Sequence, residues 1–440
     1  MASSAIAGLV QRIGTIGWRG RAATAAIASG YFAALLARGG YDAWGHFGVW
    51  TLRPSFLDMR SVTSAWECAR RGIAVLPVNP CDPLDRPANY PTVWLLPSHI
   101  GLGQSSTVPL AIATAAVFLV AALAVVPRRA GLLEGVVYGL ALCSPSVMLG
   151  IERGNVDLLM FALVVLAVLL LRRDGAAAIA SPLILLFAAI LKLFPILAAP
   201  VLARLSSRRA LLALAGVGVV FGVYALATLD TIREIRRVVP QSSAYSYGIK
   251  PFGVWASNLL GAYGLDISPT FCDVLAAGVI VAGAVFLWGR LRRRSESPQG
   301  NREAQRDLDF FVSGSAVYVA TFCLFQNFEY RMVFLLLAVP QLCRWARARR
   351  ATAIVGLSLL LLALWLGAPW AGVPVVSTLL HGWQWLTSRR PFVGVDQSLS
   401  AATSVQVTLA LVLLALLLSQ IPARSLRLRR IDDRSSTVDA

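Results

Sequence analysis

Charge is scarce in this chain of 440 residues: 14% are charged and 57% hydrophobic, where a soluble domain carries roughly 25% charged residues. Mean hydropathy is +0.68, so the chain's solvent is mostly lipid. Histidine is nearly missing. Only His46, His99 and His381 occur, and they form no His-based metal motif. A Walker loop is missing too, which argues against ATP-driven transport by this chain alone, and there is no G-x-S-x-G elbow. No A-x-A-like cleavage site follows Arg12, Arg19 and Arg21, so the first apolar run reads as a retained helix. No internal repeat stands out. Acids are outnumbered, with 22 Asp and Glu against 40 Lys and Arg, for a net charge of +18. Such a charge can mark a nucleic-acid binder. Here the arginines form short clusters between apolar stretches, the pattern that orients a membrane protein, and no nucleic-acid partner is expected.

What the chain has in quantity is apolar runs. They lie near 22–38, 107–126, 132–149, 156–171, 176–191, 194–203, 210–229, 271–289, 310–325, 331–343, 351–370 and 402–420. Most approach the ~20 residues that span a bilayer. They predict an all-α polytopic helical bundle of about 12 transmembrane segments. The runs at 176–191 and 194–203 are short and broken by Lys192 and Pro195, so they read as half-spanning or tilted pieces. With the N-terminus in the cytoplasm, most basic residues fall on that side, in clusters such as Arg128 and Arg129, Arg172 and Arg173, Arg204 to Arg209, and Arg344 to Arg350. The positive-inside rule then places both termini in the cytoplasm. One membrane domain is expected over 1–423, with a long outer loop at 39–106 and a solvated cytoplasmic linker at 290–309. A basic tail at 424–440 follows, able to touch anionic lipid. Of six cysteines, Cys143, Cys272, Cys323 and Cys343 read as small hydrophobes. Cys68 and Cys81 share the long outer loop, where a disulfide and two free thiols are equally open.

The ionisable residues gather on the outer side. Asp58 precedes an amphipathic stretch from Ser61 to Arg71. It reads either as a general base at the membrane surface or as a solvated or helix-capping acid. Asp85-Arg86-Pro87-Ala88-Asn89-Tyr90-Pro91 is an extended lead into the next apolar segment, with Tyr90 an interface anchor by default. Glu152-Arg153-Gly154-Asn155-Val156-Asp157 joins two strong helices. Its polar groups suit either a ligand or the capping of the second helix. Lys192, inside an apolar stretch beside Pro195, suits either a phosphate or snorkelling. Arg233, Arg236, Arg237, Gln241, Ser242, Ser243, Tyr245, Tyr247 and Lys250 combine bases, hydroxyls and rings, as a sugar phosphate would want. A basic interfacial helix and turn is the blander reading. Gln326 to Arg331 offers Asn327, Glu329 and Arg331 as a ligand site or a structural network.

In this order, these pieces resemble glycosyltransferase family 87, of the C-type integral membrane glycosyltransferases. The likeness rests on Phe56-Leu57-Asp58, on Asn89-Tyr90-Pro91, and above all on Gly154-Asn155 followed by Leu191-Lys192-Leu193-Phe194-Pro195. The family pattern reads approximately Gly-Gln-Asn, then Lys-Leu-Tyr/Phe-Pro. Here no Gln lies between Gly154 and Asn155, so nothing is carried over for it. The resemblance implies transfer of a sugar, often mannose, from a polyprenyl-phosphate-linked donor to a lipid-linked or glycan acceptor at the outer face of the cytoplasmic membrane. It implies inversion, with Asp58 as base. Lys192, Arg153, Arg233, Arg237, Lys250 and Arg331 are the expected phosphate ligands. Asn155, Asp157, Tyr90, Asn327 and Glu329 are the expected sugar or acceptor ligands. No cofactor is expected, and the lone acids leave metal dependence open. A polyprenyl-linked-sugar flippase is the rival class; it predicts interrupted helices in two related halves, and the sequence has one clear interruption, at Lys192 to Pro195.

Overall fold

The computed structural model describes residues 18–238, 246–291, 301–324, 326–366 and 397–420. The chain is mostly helical. Its helices are α1 (Arg19–Arg38), α2 (Leu57–Arg70), α3 (Thr107–Val125), α4 (Leu132–Leu142), α5 (Pro145–Arg153), α6 (Asp157–Leu170), α7 (Ala176–Leu191), α8 (Ser207–Ala227), α9 (Leu229–Val238), α10 (Ile249–Ala262), α11 (Pro269–Leu291), α12 (Arg302–Leu324), α13 (Val339–Arg347), α14 (Ala351–Trp365) and α15 (Gln397–Ser419). Tighter 3₁₀ turns fill Thr92–Ile100, Phe194–Arg204 and Glu329–Leu337. A two-residue antiparallel pairing joins β1 (Ser246–Tyr247) to β2 (Asn327–Phe328).

By length and composition, 4 described helices can each cross a membrane, and a bent pair makes up to 5. The pair is α4 and α5, bent by 52°, where Pro145 opens a new helix. Shorter apolar helices, including α6, α14 and parts of α7 and α15, accompany them. The described helices therefore supply fewer full-length spans than the about 12 segments expected. Several apolar runs fold as short helices or 3₁₀ turns. Lys192 is extended and ends α7, and Pro195 falls in the first turn of the 3₁₀ segment after it. Of the expected solvated linker, 302–309 instead forms the first turns of α12, with Asp307 and Asp309 buried.

Close packing positions the bundle. Gly20 of α1 faces Gly135 of α4, where a Cβ on Gly135 would fall 2.2 Å from the Gly20 carbonyl oxygen. Thr24 donates to both the Gly20 and Gly135 carbonyls at 3.0 Å. Small residues let two backbones meet where lipid offers no hydrophobic drive. At the centre, Phe118, Phe161, Phe334 and Phe194 form an edge-to-face chain with centroids 5.2, 5.9 and 5.4 Å apart. That chain ties α3, α6 and the two later 3₁₀ turns together, and Phe194 ends it under the site.

Polar groups collect at two ends of the bundle. Asp309 accepts from Arg172 and Arg204, and Asp307 from Arg306 and Arg344. Asp157 lies at the other end. α6 begins with Asp157 and stops just before Arg172. Its 14 residues separate the clusters by about 21 Å at 1.5 Å per residue.

Candidate active site

The site is built on a turn that only glycine makes easily. α5 ends in Arg153, and Gly154 takes the left-handed conformation at φ +60°. A Cβ there would come 2.9 Å from Ala111 and 3.1 Å from Met59. The reversal lets Asn155 turn its amide back. Its side-chain oxygen accepts the backbone N–H of Asp157, the first residue of α6, at 2.8 Å. Its Nδ2 donates to Asp58 Oδ2 at 2.6 Å. Asp58 stands in the first turn of α2, behind Phe56 at φ 57°, and its side chain is 18% exposed.

Asp157 is buried behind this contact. Lys192 Nζ reaches its Oδ1 at 2.5 Å and Arg331 Nε its Oδ2 at 3.0 Å. Two cations share one buried carboxylate, and both reach the lining of a cavity where an anionic ligand could meet them. Arg331 also donates to Asn327 and lies over the Phe194 ring, with Cζ 4.3 Å from the centroid. Lys192 lies over the Tyr90 ring at 5.0 Å. Trp94 locks the neighbouring strand of chain by donating to the Leu191 carbonyl at 2.7 Å. Burial pushes the Tyr90 phenol well up, so it stays protonated. The Asp58 charge is felt at Lys192 and Tyr90. Asp58 and the two cations thus lie within one another's field.

A cavity of about 210 Å³ opens beside the cations. Lys192, Arg331 and Asn89 stand at its polar end, and Tyr224, Ile232 and Ile235 form an apolar wall. The wall comes from the end of α8 and from α9. α9 turns Ile232 and Ile235 inward while Arg233, Arg236 and Arg237 face out.

The structure brings together Asp58, Tyr90, Asn155, Asp157, Lys192, Asn327 and Arg331. Asp157 serves the cations as counter-ion, which differs from its expected part as a sugar or acceptor ligand. Glu329 is buried at the start of its 3₁₀ turn, beside Asn327. Four expected phosphate ligands lie elsewhere. Arg153 is 6% exposed, ion-paired with Glu152 at 3.1 Å. It donates to the Trp50 carbonyl and stacks on that ring. Arg233 is exposed and pairs with Asp230 at 3.2 Å. Arg237 is exposed on the same helix. Lys250 is exposed at the start of α10, in the field of Asp273. Gln241, Ser242, Ser243, Tyr245 and the tail at 424–440 lie outside the described residues. Cys68 and Cys81 form a disulfide. Among the described residues no three His, Cys, Asp or Glu converge as a metal site.

Sequence reasoning missed Arg86 and Asp82, which brace Asp58, and the Tyr41–Glu152 hydrogen bond, which ties the outer loop to α5. The spacing of Asp82 and Arg86 within one Pro-rich loop was the available signal.

The family model of glycosyltransferase family 87 matches residues 90–303. This segment is similar to that family. It holds Tyr90, Asn155, Asp157, Lys192 and the α8–α9 wall, and the match supports a glycosyltransferase. Asp58 and Arg331 fall outside the matched residues and join the site through the contacts above. No curated relative and no solved structure matches the chain.

Proposed function

We propose that the protein transfers a sugar, mannose being the first candidate, from a polyprenyl-phosphate-linked donor to a hydroxyl of a lipid-linked or glycan acceptor. The observation that carries this is the cavity end where Lys192 and Arg331 meet an apolar wall, one hydrogen-bonded turn from Asp58. A lipid phosphate has that same division. Its charge fits the cations and its chain fits Tyr224, Ile232 and Ile235.

The acceptor's hydroxyl oxygen attacks the anomeric carbon, and its proton passes to Asp58. The bond from that carbon to the phosphate oxygen breaks on the opposite face, so the configuration inverts. Charge grows on the departing lipid phosphate. Lys192 and Arg331 stabilise it there, held from behind by Asp157 so that they need not reorganise. Asn155 fixes Oδ2 of Asp58, and Oδ1, which Arg86 meets only at 3.5 Å, takes the proton. A membrane-dissolved donor needs no nucleotide-binding domain. The basic clusters around Asp307 and Asp309 lie at the opposite end of the bundle, and the positive-inside rule supports placing that end in the cytoplasm. The site then faces the outside of the cytoplasmic membrane, with both termini inside.

A photoreactive polyprenyl phosphate tests the donor half of this reading. It is expected to label α8 or α9 in the wild type and to lose most labelling in Lys192→Met. Labelling that is indifferent to Lys192, or displaced by a nucleotide sugar and not by a lipid phosphate, contradicts it. Binding without transfer of any sugar tried would favour the flippase.

A further inference from the structure

The base sits at the start of a largely buried helix of the outer loop, where no capping side chain holds the first turn. Phe56 precedes α2 in the left-handed conformation, and no side chain caps the helix. Asp58 therefore depends on neighbours for its aim. Asn155 fixes Oδ2. The other side is occupied by Arg86, from the loop between α2 and Tyr90.

Arg86 is gripped firmly. Its Nε donates to Asp82 Oδ1 at 3.0 Å and its Nη2 to Asp82 Oδ2 at 2.8 Å, a two-pronged pair. The Asp82 side chain is 0% exposed and also accepts the Leu84 N–H at 2.9 Å. The same Nη2 donates to the Leu57 carbonyl at 2.5 Å. Nη1 points to Asp58 Oδ1 at 3.5 Å, an ion pair at the outer limit of a hydrogen bond. One guanidinium thus ties a buried acid to both the backbone and the side chain of the first turn of α2. The loop that carries it is clasped to the same helix. Cys81 is bonded to Cys68 of α2, and Asn79 donates to Ser64 of α2 at 3.1 Å. Gln104 closes the far side on the Cys81 carbonyl at 2.6 Å.

We propose that Arg86 is a positioning residue for Asp58: anchored on Asp82, it sets the carboxylate and the first turn of its helix in line with the acceptor hydroxyl. The inference rests on the reading of Asp58 as base. Arg86 does not line the donor cavity, so its removal acts on turnover and spares donor binding. A lysine retains the charge but loses the fork, because one ammonium cannot span Asp82 and the Leu57 carbonyl with the same fixed plane.

The test uses the full chain in lipid nanodiscs, with kcat, donor KM and apparent unfolding temperature measured for wild type, Asp58→Asn, Arg86→Gln, Arg86→Lys and Asp82→Asn. Arg86→Gln is expected to lose tenfold or more in kcat with donor KM within twofold. Arg86→Lys should lie between it and wild type. Asp82→Asn is expected to lose about fivefold in kcat at unchanged donor KM, and it decides the matter if Arg86→Gln does not fold. Wild-type kcat in the folded Arg86→Gln protein, or a rise in donor KM at constant kcat, overturns the proposal while a dead Asp58→Asn leaves the base in place. Full transfer by Asp58→Asn, or no transfer by the wild type, overturns the reading of the base and this proposal with it.

Discussion

In the proposed reaction Asp58, Asn155, Asp157, Lys192 and Arg331 divide the work between moving a proton and holding a charge. Replacing Asp58 by Asn keeps the Asn155 contact possible and removes the proton acceptor. Transfer is expected to fall about 10²-fold or more, the usual contribution of a positioned base, with donor binding unchanged. Lys192→Met removes a charged hydrogen bond to the phosphate, worth about 1.5–3 kcal/mol. Donor KM should rise by roughly one to two orders of magnitude, and equal donor KM in mutant and wild type would contradict the assignment. Lys192 and the Gly154-Asn155 turn stood out in the sequence because a lone charge in an apolar stretch, or a polar turn between two strong helices, is costly unless used; Asp58, an outer-loop acid, was singled out through the family resemblance, and the structure places it against Asn155. What the sequence could not say is that Asp157 faces the cations. A residue's partner across 174 positions is set by packing. Arg153 misled for the same reason: its neighbour Glu152, buried beside it, takes its charge.

Elements place these residues through a few tight points. Gly154 combines a positive φ with neighbours from α3 and α2 pressed against its hydrogen. Gly154→Ala costs about 1–2 kcal/mol in backbone strain alone, and it pushes the Asn155 turn off Asp58. The variant should lose both thermal stability and kcat; a fully active, equally stable protein would show that the turn tolerates movement. The segment of α9 was read as part of a phosphate-binding loop or as a basic interfacial helix; it is a helix, and which of its faces meets the cavity was invisible. Its arginines drew the attention and its isoleucines line the wall. Ile235→Asp puts a carboxylate into that wall and should raise donor KM at least tenfold, whereas Arg237→Gln should not change it measurably. The Lys192 to Pro195 break was legible from proline chemistry. The count of twelve spans was not, because hydropathy alone cannot tell a crossing helix from a short buried one.

Across the whole molecule, two polar clusters sit a helix length apart and play different parts. At the end opposite the site, Asp309 is 1% exposed between Arg172 and Arg204, whose side chains are 31% and 20% exposed. Breaking a buried pair leaves unmatched charge, and the partial exposure of the arginines reduces the cost to about 1–3 kcal/mol. Asp309→Asn is expected to lower the unfolding temperature by a few degrees while the remaining folded protein keeps its kcat. A selective loss of kcat would show that this end communicates with the site. The clustering of arginines between apolar runs was readable as orientation; that they find buried acids on α12 was not, because 302–309 reads as a polar linker until Asp307 and Asp309 are seen packed. The central claim is that Asp58 and the Lys192–Arg331 pair form one catalytic unit. It is tested most directly by transfer of radiolabelled mannose from polyprenyl-phosphate-mannose to membrane lipid extract, comparing purified wild type with Asp58→Asn. The account predicts labelled product from the wild type and none above background from a mutant that still binds the donor lipid. Equal product from both proteins would contradict it.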